Sequence, residues 1–195
     1  MPARPSAGRL TVRQVLDTAV ELEKRTMDLY VVFVQTFTRP EEVRNFWFTM
    51  ARHEAFHCGA LALVESIVRT DARAGRATVR FDPRTVARLR SLLVAYLREA
   101  RRGVALERAL EMAIDIEASE LEDVVADLLK AVRNPQWRAR AIQLLIHDLG
   151  DLSYLVERYT KNESLLRRAD ELVERRRGAL PESSPVQKLR VGRSR

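Results

Sequence analysis

Ala51-Arg52-His53-Glu54-Ala55-Phe56-His57-Cys58-Gly59-Ala60-Leu61 (ARHEAFHCGAL, residues 51–61) sets Glu54 and His57 into an otherwise apolar helical line. Steps of three and four carry that line through Trp47, Met50, Glu54, His57, Leu61, Val64 and Val68, the spacing of one helix face turned toward a core. A helix over about 41–69, opened by Pro40, is the direct reading. Its inward face carries a carboxylate and an imidazole where packing alone calls for hydrocarbon.

Displaced by 94 residues, the chain partly matches itself. Glu23 falls on Glu117, Glu54 on Asp148, His57 on Asp151 and His53 on His147, and Leu16 and Ala19 fall on Leu110 and Ala113. The agreement gathers on acidic and histidine positions, which points to a duplicated helical hairpin. The first helix, about 10–37, has the line Leu16, Val20, Glu23, Met27, Tyr30, Val34 and Phe37. The third, about 104–133, has Leu110, Ile114, Glu117, Leu121, Val124, Leu128 and Ala131. Asn134-Pro135 breaks the chain, and the fourth, about 136–176, has Ala141, Leu144, Asp148, Asp151 and Leu155. A connection from Thr70 to Pro83 and an apolar helix over Val86–Glu99 would serve as the crossover between two hairpins. No strand signal is read.

With 195 residues, 46% of them hydrophobic, the chain can bury one substantial core, and its few Gly and Pro suit long helices. The expected organisation is a disordered N-terminus over 1–9, a helical domain over 10–177, and a disordered basic tail over 178–195. No run reaches the length of a membrane span and the start lacks an export signal, so a cytoplasmic location without membrane contact is expected. Cys58 is the single cysteine, which excludes an internal disulfide and a four-thiolate metal site. The net charge of +7 raises the question of nucleic acid. The basic residues, all arginine except Lys24, Lys130, Lys161 and Lys188, are scattered, with clusters at Arg98–Arg102, Arg175–Arg177 and the tail but no stripe of interleaved aromatics, and most read as solvated helix faces.

Six polar groups therefore point into the core: Glu23, Glu54, His57, Glu117, Asp148 and Asp151. Burying an isolated charge costs several kcal/mol, so such groups must be protonated, paired or neutralised by a cation. Five carboxylates cannot all pair with one histidine. Hard oxygen donors with an imidazole suit iron or manganese.

At these residues the chain resembles the ferritin-like superfamily, most closely the rubrerythrin-like di-iron carboxylate proteins. The resemblance covers about 10–165 and implies an antiparallel four-helix bundle of two hairpins. It makes Glu23, in ELEKRTMDLY, the first-helix ligand, followed by Tyr30 as the matching aromatic. Glu54 and His57 match the Glu-x-x-His of the second helix, and Glu117, in AIDIEASELEDVV, the third-helix ligand. One iron would then have Glu23, His57 and bridging Glu54 and Asp148; the second would have Glu117 and Asp151 with the same bridges. The fourth helix departs from the family, reading Asp148-Leu149-Gly150-Asp151 where Glu-x-x-His is expected. Asp148 is about 1.5 Å shorter than Glu, and the added negative charge of Asp151 favours trivalent metal. The implied chemistry is iron oxidation, or reduction of oxygen or peroxide, with electrons from an external donor.

Three other readings stay open. His53-Glu54-Ala55-Phe56-His57 spells the His-Glu-x-x-His of zinc metalloproteases, but that reading leaves Glu23, Glu117, Asp148 and Asp151 without a role. A ferritin-like scaffold that has lost its chemistry would pair Asp151 with protonated His57. Leu189-Arg190-Val191-Gly192 and the basic residues after it are similar to the loading peptides of encapsulin cargo, which would make an encapsulin shell a partner. Outward apolar residues, with Val31, Val32 and Phe33 as examples, suggest a homodimer or larger homo-oligomer. His53 and Cys58 read as neighbours of the line, not ligands.

Overall fold

A computed structural model describes residues 9–70, 78–80, 83–119 and 149–179. The class is all-α: α1 (Val12–Thr36), α2 (Glu41–Thr70), α3 (Pro83–Arg101), α4 (Leu106–Glu117), α5 (Gly150–Tyr159) and α6 (Glu163–Ala179). A minimal antiparallel ribbon joins β1 (Arg9–Thr11) to β2 (Thr78–Arg80), with Leu10 opposite Val79. It was not anticipated, since three residues are too few for an alternating pattern to register. No described helix is long and apolar enough to cross a membrane.

Thr11 starts α1. Its hydroxyl accepts from the Gln14 amide at 3.3 Å while the Gln14 side chain accepts from the Thr11 amide at 3.0 Å, a reciprocal capping box. α1 and α2 form an antiparallel hairpin: Phe33 meets Trp47 near the connecting turn, and Glu23 meets His57 farther from it. Every residue expected on the inward line of α2 is buried. On α1 the buried stripe is wider and rotated, running through Val15, Ala19, Leu22, Thr26, Leu29 and Phe33, because α3 packs on α1 beside α2. Phe33 is fully buried, not outward; of the trio offered as a self-association surface only Val31 is exposed.

Gly103 turns the chain from α3 to α4. Its φ of +94° suits a residue without a side chain, and its amide bonds the Ala100 carbonyl at 3.0 Å, closing α3. Charged residues then tie three helices together. Arg108 on α4 makes a two-pronged bond to Glu99 on α3 at 2.9 and 3.1 Å, and Asp115 on α4 receives both Tyr96 from α3 and Arg168 from α6.

Two helices differ from expectation. α4 ends at Glu117; the rest of the expected third helix, to residue 133, lies outside the described residues. The expected continuous fourth helix is interrupted at Thr160–Asn162, where the Asn162 side-chain oxygen Oδ1 caps α6 by accepting from the Leu165 amide at 3.0 Å. Helix α6 runs through Ala179, past the expected start of the tail at 178. The expectations for 1–8 and 180–195 concern residues outside those described.

Candidate metal centre

Glu23 projects from the middle of α1, and Glu54 and His57, one turn apart, project from α2 toward it. All three are buried, at 2% exposure each. The His57 Nδ1 atom lies 3.4 Å from Glu23 Oε2 and 3.2 Å from Glu54 Oε2. One donor atom from each falls within 4.8 Å of the others, a spacing that a single metal ion can bridge. Glu23 Oε1 is buried and has no hydrogen-bond partner among the described residues. Such an orphaned carboxylate oxygen costs about 1–3 kcal/mol or more if nothing answers it.

With both carboxylates ionised and His57 neutral the trio carries two negative charges, which one divalent cation cancels; with His57 protonated one negative charge remains inside the hairpin. The negative field reaches Cys58, half-buried beside the cluster, whose thiol is pushed up to about 11 by burial first and then by Glu23 and Glu54.

Glu117 is also buried, at 3%, but outside this group. It is the last residue of α4, where the helix presents its carbonyl end and a carboxylate is electrostatically disfavoured. Tyr30 answers this by donating its phenol to Glu117 Oε1 at 2.7 Å. Tyr30 is itself fully buried and stacks on Trp47 at 5.8 Å between ring centroids. Aromatic side chains on a helix lean toward its N-terminus, so Tyr30 reaches back along the face that carries Glu23. This pairing was missed from sequence, although Tyr30 lies on the same inward line as Glu23.

Of the remaining expected ligands, Asp151 does not join the cluster. Asp151 is exposed in the first turn of α5. Because α5 begins at Gly150, its buried side is set by Leu152, Leu155 and Val156, and Asp151 faces solvent beside the helix amino end. It therefore cannot be the acid that pairs with His57 in the scaffold reading; Glu23 and Glu54 occupy that place. Asp148 lies outside the described residues. His53 is half-buried and contributes no atom to the group, so the two histidines of the zinc-protease signature do not converge there.

The fold and the cluster define the chain as an all-α protein with a buried Glu-Glu-His site able to hold a metal ion. Compared with known proteins, it matches no family model, no curated protein and no solved structure.

Proposed function

We propose that Glu23, Glu54 and His57 hold a divalent transition metal, iron in the first place and manganese in the second, in a ferritin-like helical protein. The observation that carries this reading is the buried trio with its unanswered Glu23 oxygen. Two carboxylates and one imidazole form a donor set suited to iron and manganese, and a divalent ion cancels the charge of the trio with His57 neutral. In ferritin-like proteins such an ion supplies cycling between two and three plus, the basis of iron oxidation or of oxygen and peroxide reduction. Here the α1–α2 hairpin presents the donors and excludes water around them. Glu117, held by Tyr30, is a further buried carboxylate available to a site that grows.

The described donors suffice for one ion, whereas the family resemblance implies two. The exposure of Asp151 supports the smaller number. Anaerobic loading with Fe(II), removal of excess and metal counting by elemental mass spectrometry tests this, with Glu54→Ala as control. One iron per chain, lost in the variant, is the expected result; two would require further ligands such as Asp148. No retained metal would sink the proposal and leave a helical scaffold in which Glu23, Glu54 and His57 merely pair with one another.

A further inference from the structure

On the side of α1 turned to α3, the two helices line an open cleft of about 710 Å³. Its floor is apolar, formed by Leu97 and by Val94, which is 39% exposed. Its rim is cationic. Arg98 and Arg101 stand on the last turn of α3 with Arg102 just beyond, and Lys24 faces them from α1. None of these four makes an ion pair among the described residues, and all four are exposed. Arg25 also lines the cleft, but it is committed to Glu21 at 3.1 Å, as is Arg90 from α3. Counting Glu21 and Asp28 against Lys24, Arg25, Arg98, Arg101 and Arg102 leaves three net positive charges in the lining.

Two ordinary explanations do not absorb that charge. The carbonyl end of α3 offsets about half a unit. Spacing at i, i+3 and i+4 sets Arg98, Arg101 and Arg102 against one another on one face, a mutually repulsive arrangement. Several guanidinium groups without ion pairs, over an aliphatic floor of which Val94 is exposed, are complementary to an anion with more than one phosphate charge and an apolar or aromatic body. Guanidinium forks bond phosphate oxygens two at a time, the floor accepts the ring, and the volume falls in the usual range for small-molecule sites.

We infer that the α1–α3 cleft binds a small organic polyphosphate of the nucleoside-triphosphate class, with Arg98, Arg101, Arg102 and Lys24 on the phosphates and Val94 and Leu97 under the base. The test is calorimetric titration of the full-length, metal-free chain with ATP at physiological ionic strength. Inorganic tripolyphosphate and adenosine serve as partial ligands. ATP is expected to bind at one site per chain, and Arg98→Gln/Arg101→Gln to weaken it by at least tenfold with an unchanged melting temperature. A charge-matched control, Arg44→Gln/Arg52→Gln on α2, should leave the affinity within about twofold. Equal weakening by both pairs would reduce the effect to net charge and overturn the site, as would absence of ATP binding at millimolar concentration. Tripolyphosphate binding as tightly as ATP would remove the apolar floor from the proposal.

Discussion

Replacing Glu54 by Gln keeps the shape of the side chain while removing one charge and one donor from the Glu23, Glu54 and His57 cluster. If the cluster holds a divalent ion, adding Mn(II) or anaerobic Fe(II) at 100 times its dissociation constant stabilises the fold by about 2.7 kcal/mol. For a chain of 195 residues each kcal/mol is worth about 2–4 °C in Tm, so the wild-type melting point should rise by about 5–11 °C. Removing a direct ligand should weaken binding by at least the ~100-fold seen for the groups behind ligands. At the same metal concentration the variant then retains only about 0.4 kcal/mol, or 1–2 °C. Asp151→Asn, on an exposed residue outside the cluster, should keep the full shift. Scanning calorimetry on the three proteins, with and without metal, reads the difference. A shift as large in Glu54→Gln as in wild type would refute the assignment. The metal-free melting points carry a second answer. Two carboxylate oxygens within 4.8 Å repel by about 3.5 kcal/mol at an effective dielectric of 20, so under the metal reading the metal-free variant melts at or above wild type. A purely structural ion pair predicts the opposite, a loss of about 3–5 kcal/mol.

Tyr30→Phe removes the 2.7 Å bond to Glu117 without opening a cavity. It should cost about 1.5–3 kcal/mol because the acceptor is a buried carboxylate, and an unchanged urea midpoint would mean that another group satisfies Glu117. Tyr96 is held protonated above its ordinary range, first by burial and then by Asp115. Since the folded state keeps that proton more firmly, its contribution is complete below the unfolded pKa near 10 and is lost as pH climbs toward the folded value. Urea midpoints measured from pH 8 to 11 should therefore fall more steeply for wild type than for Tyr96→Phe; parallel slopes would contradict this. Gly103→Ala meets no neighbouring atom, so its cost should be the left-handed φ alone, about 1–2 kcal/mol by chemical denaturation.

Legibility from sequence varied with how many partners each helix has. On α2 every residue read in threes and fours from Trp47 to Val68 is buried, Glu54 and His57 included, although the buried face also takes in Phe46, Ala51 and Ala60. α1 is covered by both α2 and α3, so its buried stripe is broad; the single line drawn through Val20 and Met27 ran along its edge and misplaced Phe33. The break before α6 has a local signal, Asn162 followed by Glu163 at a helix start, which a single long periodic segment passes over. Asp151 shows the limit of arguing by internal repetition. The displacement of 94 residues pairs it with His57, yet a helix that begins at Gly150 sets its own rotational phase and turns Asp151 outward. The Tyr30–Glu117 bond joins residues 87 apart, a relation that no local period encodes.

All three donors of the cluster belong to one helix–turn–helix unit, with His57 only 34 positions after Glu23. Contacts of such short range form early in folding, before distant segments have to find each other. The ligand set can thus assemble while α4 to α6 are still unplaced, and an ion captured at that moment would secure the nucleus on which the later helices dock. An ion held there would then tie this helix–turn–helix unit together by itself, whatever the later helices do.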